Sequence, residues 1–234
     1  MTQSLHILVT GASRGIGASI LSAFGGHKAV GHSSKGGNGL LAADLAVPGI
    51  TETLWSEALD RLDGRIDVLV NNAGIFEDAP LDAADWTDRW QRTQQINLVA
   101  AAELCRLAVL HFQARGEGGR IVNVASRAAY RGDSPAHWHY AASKGGMVAM
   151  TKSIARAYGS QNILAFSVCP GFTMTGMADE YLASRGGEQL LADIPLGRVA
   201  ETAEVAETVR WLATEAPPSA TGSAIDVNGA SFVR

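Results

Sequence analysis

The sequence predicts an α/β fold built on a doubly wound parallel β-sheet with helices on both faces. Short β-rich apolar runs alternate with longer helical runs along the whole chain, a pattern typical of parallel α/β sheets. Several strand-like runs are apolar at both alternate positions, as expected for strands that helices cover on both faces. No internal repeat and no linker-like change in composition divides the chain, so we expect a single domain over residues 1–234.

Taken in chain order, the pattern predicts seven strands and six helices. The strands are His6–Thr10, Lys28–His32, Leu40–Ala43, Ile66–Asn71, Arg120–Ala125, Ile163–Cys169 and Ala224–Asn228. The helices are Gly15–Phe24, Thr51–Leu62, Ala84–Arg115, Trp138–Gly159, Thr175–Leu191 and Thr202–Thr214. Thr202 is placed to cap the last helix from its first turn.

The connection between the second and third strands is unusually short. It runs through Ser-Ser-Lys-Gly-Gly-Asn-Gly, which is too short and too glycine-rich for a crossover helix. Parallel neighbours normally need a crossover of about a dozen residues or more. Either a loop replaces the helix here, or the strand at Leu40–Ala43 is weak.

Composition and charge narrow the class of protein. With 47% hydrophobic and 18% charged residues, the chain has ample material for a buried core. Its net charge of −4 gives no electrostatic case for nucleic acid or an anionic membrane surface. No signal-like start and no stretch able to span a bilayer is apparent, so we expect a cytoplasmic protein. Cys105 and Cys169 lack metal or redox spacing and are expected to be buried free thiols.

A glycine-rich turn follows the first strand and leads directly into a helix. In Thr10–Gly17, Gly11 permits a tight turn, Gly15 lets backbone approach a pyrophosphate, and Gly17 allows close helix packing. The helix N-terminus adds N–H groups and a dipole that favour phosphate. Glycines alone also occur in ordinary turns, but the strand before and the helix after favour dinucleotide binding.

The end of the second strand bears on the choice of dinucleotide. An acidic residue there would bind the ribose 2′-OH of NAD, yet the segment His32–Lys35 has no carboxylate. Arg14 and Lys35 are able to meet a 2′-phosphate, with Ser33 or Ser34 adding hydroxyl donors. NADP is therefore favoured over NAD, the alternative being that both cations are merely solvated.

Tyr140 and Lys144 lie four residues apart at the start of a predicted helix. That spacing places both on one helix face. A nearby cation stabilises phenolate and is expected to lower the tyrosine pKa, which suits general acid–base catalysis. Ser126 follows the end of a predicted strand, where a hydroxyl can stabilise charge on a substrate oxygen. A Tyr–Lys pair on a surface helix usually has no catalytic role, so the catalytic interpretation depends on the other motifs.

In this order, the motifs resemble those of the short-chain dehydrogenase/reductase family along essentially the whole chain. The matching pieces are Thr10–Gly17, Asp44-Leu45, Asn71-Asn72-Ala73-Gly74, Ile96-Asn97, Ser126, Tyr140–Lys144, Pro170–Thr175 and Asn228-Gly229. The resemblance implies a Rossmann fold, a nicotinamide cofactor and a catalytic tetrad of Asn97, Ser126, Tyr140 and Lys144. It also implies cofactor contacts from a wider set: Gly11, Ser13, Arg14, Gly15, Ile16, Gly17, Asp44, Leu45, Asn72, Ala73, Gly74, Pro170, Gly171, Phe172 and Thr175.

Further roles come from the same resemblance. Asp44 and Leu45 are expected to flank the adenine, and Phe172 and Thr175 to hold the nicotinamide carboxamide. Lys144 is expected to bind the nicotinamide ribose as well. Asn97 is expected to fix a water that relays protons from Lys144 to solvent.

The implied reaction interconverts a ketone and a secondary alcohol. Hydride passes from NADPH C4 to the carbonyl carbon while Tyr140 protonates the oxygen held by Ser126. No metal is required. His137 and His139 precede and follow Trp138 without an acidic or cysteine partner, so we expect them to shape the substrate mouth or to be exposed loop residues.

The substrate is predicted less sharply. A lid is expected at about residues 175–197, with Met177 and Tyr181 joining Ser126 and Trp138 around a partly apolar pocket. The chain looks most like bacterial 3-oxoacyl-[acyl-carrier-protein] reductases. Its negative charge, and Gln161 where those reductases present an arginine, equally suit a free small ketone or alcohol such as a sugar, diketone or steroid. A non-catalytic, NADP-sensing protein is a further alternative, although such proteins usually lose the tyrosine or lysine.

The run Ile96–Phe112 is apolar on most sides, including Ala100, Leu104 and Leu110. A helix with this composition is buried in its own core or against another subunit. The family commonly forms tetramers through this helix and the one that carries Tyr140. We therefore expect a homotetramer, or a dimer.

Overall fold

The computed structural model describes residues 4–174 and 187–234. Its strands are β1 (His6–Val9), β2 (Lys28–Ser33), β3 (Leu41–Ala42), β4 (Val68–Asn71), β5 (Gly119–Val124), β6 (Ile163–Pro170), β7 (Thr173–Met174), β8 (Ala200–Glu201) and β9 (Ala224–Val227). Seven of them form one sheet in the order β3-β2-β1-β4-β5-β6-β9, and every pairing is parallel. The seven predicted strands are all present, and the doubly wound Rossmann fold is confirmed.

The helices flank this sheet. They are α1 (Gly15–Ala23), α2 (Ile50–Arg61), α3 (Trp86–Gln94), α4 (Ala100–Arg115), α5 (Ala128–Arg131), α6 (Trp138–Tyr158), α7 (Gly187–Ala192) and α8 (Thr202–Thr214). A π-helical turn at Gln95–Val99 joins α3 to α4, and 3₁₀ turns lie at Gly159–Gln161 and Pro218–Ala220. The predicted helix Thr175–Leu191 lies mostly outside the described residues, which include only α7 near its end.

Alternating side chains of the strands build a separate core on each face of the sheet. On β1, Ile7 and Val9 pack with α1 and α8, whereas Leu8 packs on the opposite face with α2 and α4. Both layers consist of fully buried aliphatic and aromatic side chains, such as Phe24 in one and Phe112 in the other. The strands thus have an apolar neighbour on each side, which explains their unbroken apolar sequence.

The helix α8 is capped differently from the prediction. Glu201 occupies the N-cap and forms a capping box with Glu204, so Thr202 is the first helical residue. The Thr202 hydroxyl instead accepts a hydrogen bond from Ser19 of α1 at 2.7 Å. The prediction that Thr202 caps the helix is wrong because its side chain joins the two helices.

The short connection between β2 and β3 is a loop, which was one of the two alternatives that the sequence left open. It suffices because β3 pairs with β2 at only two positions, His32 with Leu41 and Ser33 with Ala42. The chain therefore returns only to the end of β2 and does not cross the length of the sheet. Left-handed backbone at Gly36, Gly37 and Asn38 makes the tight reversal possible.

The predicted helix Ala84–Arg115 is a nearly continuous helical rod from Trp86 to Arg115. By length and composition alone it is long and apolar enough to cross a membrane, which corrects the expectation that no such stretch exists. Its apolar composition has a different source: Ala100, Leu104 and Phe112 are fully buried against the sheet. The prediction that Cys105 and Cys169 are buried free thiols is confirmed.

Candidate active site

The glycine turn after β1 is fastened to the segment that follows β4. The Thr10 hydroxyl oxygen accepts hydrogen bonds from the backbone N–H groups of Asn72 at 3.0 Å and Ala73 at 3.1 Å. In return the Asn72 side-chain amide donates to the carbonyls of Thr10 and Gly11, both at 3.0 Å. Two segments that are far apart in sequence, 10–17 and 72–74, therefore form one rigid surface at the carboxyl end of the sheet.

Two glycines leave no room for a side chain in this turn. Gly11 has φ +66°, and a Cβ there would lie 2.7 Å from the Cα of Ala73. At Gly17 a Cβ would overlap the Gly11 carbonyl and the Asn72 amide. Ser13 and Arg14 are exposed at the tip of the turn, where the N-terminus of α1 begins. Such a cradle of backbone at a helix start fits a dinucleotide pyrophosphate.

His32 contacts the glycine turn, and the sequence did not predict this contact. It is buried at the end of β2, and its Nδ1 accepts a hydrogen bond from the Gly11 N–H at 3.3 Å. Its Nε2 therefore carries the proton that it shares with the Ala43 carbonyl at 2.8 Å. Burial lowers the pKa of His32, so the neutral ring persists and joins the glycine turn to β2 and the residue after β3.

The end of β2 offers positive charge and hydroxyls but no carboxylate. The Ser33 hydroxyl donates to the Gly36 carbonyl at 3.3 Å, while Ser34 and Lys35 are exposed. Within the described part of the chain, neither Arg14 nor Lys35 has a hydrogen bond or an ion pair from its side chain. Among the described residues, both cations are therefore open to an anionic ligand.

Asp44 and Leu45 differ in accessibility. Asp44 is exposed, and its carboxylate accepts a hydrogen bond from the Ala46 N–H at 3.0 Å. Leu45 is buried in the core between the sheet and α2. Asp44 is therefore open to a ligand, whereas Leu45 belongs to the core.

Asn97 and Lys144 converge next to Gly74. The Asn97 side chain accepts from the Ile75 N–H at 2.8 Å and donates to the Ile75 carbonyl at 3.0 Å. Lys144 is buried on α6 and donates from Nζ to the Val124 carbonyl at 2.9 Å. A Cβ at position 74 would lie 3.3 Å from the Asn97 Oδ1 and 3.5 Å from the Lys144 Nζ, so Gly74 lies between the two groups.

Ser126 and Tyr140 meet beside this cluster. Ser126 follows β5, and its hydroxyl oxygen accepts from the Ala128 N–H at 3.1 Å. Tyr140, in the first turn of α6, is hydrogen-bonded to the Ser126 hydroxyl. Burial raises the pKa of Tyr140 to about 12, and the hydrogen bond from Ser126 opposes that rise.

The expectation that Lys144 lowers the pKa of Tyr140 is wrong for the protein itself. The lysine Nζ lies 5.8 Å from the centre of the tyrosine ring and directs a hydrogen bond at Val124. Burial also lowers the pKa of Lys144 to about 8. Desolvation is therefore the largest cause of both shifts, an effect that helix spacing alone does not reveal.

Comparison with known proteins places this site in a family. A family model described as enoyl-(acyl carrier protein) reductase matches residues 11–230. A 3-oxoacyl-[acyl-carrier-protein] reductase of Synechocystis is 36% identical over 95% of this chain and 94% of its own length. One from Vibrio cholerae is 34% identical over 97% of this chain and 96% of its own. The chain belongs to the short-chain dehydrogenase/reductase family.

A solved structure agrees with that assignment. The crystal structure of a protein assigned as a gluconate dehydrogenase of Agrobacterium tumefaciens has a TM-score of 0.87 and 25% identity, covering 98% of this chain and 97% of that one. This short-chain dehydrogenase/reductase is therefore an oxidoreductase that acts on CH–OH groups, and its relatives imply a nicotinamide cofactor.

An aromatic surface borders the Tyr140 side of this short-chain dehydrogenase/reductase. Phe76 is 48% exposed, stacks on His137 with ring centres 3.8 Å apart, and meets Tyr140 edge-on at 4.8 Å. His137 and His139 are both buried, so the alternative that they are exposed loop residues is wrong. Trp138, between them, is 53% exposed. Among the described residues, no group of three or more His, Cys, Asp or Glu side chains is placed to hold a metal ion.

The remaining expected contacts fall around the end of β6. Gly171 donates its N–H to the Val227 carbonyl at 3.0 Å, and a Cβ there would lie 2.8 Å from the Cβ of Asn228. Phe172 follows and is partly buried. Thr175, Met177 and Tyr181 lie outside the described residues, as does most of the expected lid.

Proposed function

We propose that this short-chain dehydrogenase/reductase interconverts a ketone and a secondary alcohol with NADP(H), and that Tyr140 is its acid and base. One observation carries the proposal: the Tyr140 phenol is hydrogen-bonded to the Ser126 hydroxyl, with the buried Lys144 ammonium 5.8 Å from its ring. The three groups lie at the carboxyl end of the sheet, where ligands bind in open α/β folds. The names of the relatives, which are 3-oxoacyl-carrier-protein reductases, support the direction of reduction.

The NADP(H) preference rests on charge at the end of β2. Arg14 and Lys35 are exposed cations without an ion-pair partner in the described chain, and no carboxylate occupies positions 32–35. The residues that would hold the cofactor are the 10–17 turn, segment 72–74, Tyr140, Lys144 and the 170–172 segment. When bound, NADPH supplies the hydride that reduces the carbonyl carbon.

The chain's own residues would handle the oxygen and its proton. Ser126 donates a hydrogen bond to the carbonyl oxygen, and Tyr140 gives that oxygen its proton. Because the pKa of Tyr140 is about 12, the phenol is protonated at neutral pH and ready to act in reduction. Lys144 binds ribose hydroxyls and holds positive charge near the phenol. Asn97 fixes a water that returns protons from solvent.

Two substrate classes compete within this proposal. The relatives favour a 3-oxoacyl group carried by an acidic carrier protein. Against it, Gln161 is uncharged and is hydrogen-bonded to Gln113 at 2.8 Å, so this exposed position adds no cation for an acidic partner. A free small ketone or hydroxy acid is the second candidate, which the name of the gluconate dehydrogenase neighbour also favours.

Assembly and location complete the proposal. We propose a cytoplasmic homotetramer, or a dimer, formed through α4 and α6. Leu110 on α4 is 50% exposed, and Val99 at the start of that helix is 38% exposed. Light scattering at micromolar concentration tests this proposal, and a stable monomer would contradict it.

The decisive experiment is a screen of NADPH and NADH consumption with β-keto esters, diketones, sugars and steroids, run on the wild type and on Tyr140→Phe. We expect at least one ketone to be reduced, and the variant to lose about 10²-fold or more in kcat because it lacks the acidic proton. Equal activity of both proteins, in the assay or in the cell, would contradict Tyr140 as the acid and favour a non-catalytic NADP-sensing role.

The cofactor preference has its own test. The double variant Arg14→Ala, Lys35→Ala should weaken NADPH binding far more than NADH binding, since only NADPH carries the 2′-phosphate. Fluorescence titration of both cofactors measures the two dissociation constants. Equal losses for NADPH and NADH would count against a 2′-phosphate role for these cations.

A further inference from the structure

Arg127 is a buried arginine immediately after Ser126. Only 8% of the residue is exposed, and its backbone N–H donates to the Pro170 carbonyl at 3.0 Å. That bond holds the start of α5 against the end of β6. The guanidinium carbon lies 5.5 Å from the centre of the Phe172 ring, so the charged head is at the same carboxyl end of the sheet as Ser126.

Apart from its contact with the Phe172 ring, the guanidinium lacks a partner within the described residues. It makes no hydrogen bond and no ion pair there, and its Nη1 is completely buried. Asp133 and Asp193 attract the guanidinium from exposed positions, but neither forms an ion pair with it, and Arg131 repels it. By contrast, the partly buried Arg120 donates to the Leu212 carbonyl at 2.8 Å.

Burying a charge without a counter-ion or a hydrogen bond is costly, and among the described residues Arg127 has neither. Arginine stays charged at any physiological pH and presents five N–H donors in a planar fork. That fork matches the two oxygens of a carboxylate. Arg127 directly follows Ser126 in the chain, and its guanidinium carbon lies by the Phe172 ring, so an anion bound there is held at the same end of the sheet as an oxygen bound by Ser126.

We propose that Arg127 binds a carboxylate of the substrate, and that the enzyme reduces a short 3-oxo acid in preference to a neutral ketone. This inference rests on the proposed function. In the reaction the carbonyl π bond of the oxo acid breaks, its carbon gains the hydride of NADPH, and its oxygen gains the proton of Tyr140. The products are a 3-hydroxy acid and NADP⁺, and the carboxylate held by Arg127 is unchanged.

The first test compares acetoacetate with its neutral ethyl ester, using NADPH and four proteins. The wild type should prefer the acid. Arg127→Met should reduce the acid-to-ester ratio of kcat/KM by about 100-fold, mainly through a higher KM for the acid. Arg127→Lys keeps the charge but not the fork, and should restore part of that ratio.

The matched control is Arg131→Met, which removes the same charge from an exposed position in α5. It should keep the wild-type ratio, which excludes a general effect of lost positive charge. If Arg127→Met lowers kcat/KM for acid and ester by the same factor, the proposal is overturned. The same holds if the wild type prefers the ester.

Two binding measurements separate this inference from the proposed function. With NADP⁺ present, acetoacetate should raise the Tm of the wild type but not of Arg127→Met. If no ketone is turned over, the proposed function fails while this shift still decides the role of Arg127. NADPH should bind both proteins with the same Kd. An equal weakening of NADPH binding and loss of the acid effect would assign the anion to the cofactor and overturn the proposal.

Discussion

Among the described residues, the buried Asp67 carboxylate is paired at one end of the central sheet, whereas two buried cations lack a carboxylate partner at the other. At the amino-terminal end, the Asp67 carboxylate accepts hydrogen bonds from Arg65 at 2.8 Å and from the His6 N–H at 2.9 Å, with Arg115 at 3.0 Å. Burial opposes ionisation of Asp67, but these donors outweigh it and hold its pKa below the usual range. Every charge in this group has a partner.

At the carboxyl end, two buried cations lack carboxylate partners within the described residues. Among the described residues, Lys144 donates a hydrogen bond to the Val124 carbonyl alone, and the Arg127 side chain makes none. Charges that are buried without counter-ions cost stability, whereas paired ones avoid that cost. The difference supports the proposal that the cations at the carboxyl end serve a ligand, whereas the pairing at the amino end serves the fold.

The largest expected effect is at the paired end. Asp67→Asn leaves Arg65 and Arg115 without their shared carboxylate and should lower the free energy of unfolding by about 2–4 kcal/mol, since both arginines keep some exposure. Urea denaturation at pH 7 measures the loss. Because the pKa of Asp67 is lowered on folding, its stabilisation is present above the unfolded pKa and disappears as pH falls through the folded one. The variant should therefore lose less stability than the wild type on acidification, and equal losses would contradict the pairing.

A change of opposite sign is expected at the unpaired end. Lys144→Met removes a buried charge and should raise the free energy of unfolding by about 1–3 kcal/mol at pH 7, after allowing for the unsatisfied Val124 carbonyl. Reductase activity should be lost at the same time. A variant that is both less stable and inactive would show that Lys144 is a structural residue and would remove the contrast between the two ends.

The pH dependence of the stability gain in Lys144→Met tests whether removal of the buried charge causes it. Folding lowers the pKa of Lys144 from its usual 10.5 to about 8. The unfolded chain therefore binds more protons between these values, and the Lys144 contribution to wild-type stability rises with pH across that window. The advantage of Lys144→Met should be complete below pH 8 and shrink towards pH 10.5. Urea unfolding at several pH values follows the difference, and a constant gain would point to packing instead of charge.

The same contrast separates what the sequence could predict from what it could not. The glycine turn was predictable because Gly11 and Gly17 occupy positions that exclude a Cβ within one strand–turn–helix unit. Tyr140, Lys144 and Ser126 were predicted as site residues from helix spacing, from the end of a strand and from the order of the family motifs, and their roles stay a prediction. These signals are local, and they are strong because the residues occur in a fixed order.

Contacts across the fold were not predictable in this way. His32 reaches Gly11 because β1 pairs with β2, and it reaches Ala43 because β3 returns beside β2. Arg127 looks like any surface arginine in the sequence, since its burial depends on β6 and the residues after it. The π-helical turn at Gln95–Val99 reads as ordinary helix because it adds only one residue per turn to the pattern. Desolvation of Lys144 likewise depends on packing that the spacing does not encode.

The smallest effect on stability is expected for an ion pair that has good geometry but is exposed to solvent. On α8, Arg210 donates from two nitrogens to the Glu207 carboxylate, at 2.7 and 2.9 Å, yet Glu207 has 63% of its side chain exposed. Water and salt screen such a pair, and holding two long side chains costs entropy. Glu207→Gln should therefore leave the urea midpoint unchanged within error at 0.15 M salt, roughly the physiological ionic strength. A loss of unfolding free energy comparable to that of Asp67→Asn would mean that short distances, and not burial, decide how much a charge pair stabilises this protein. The comparison of the two sheet ends would then no longer separate stability from function.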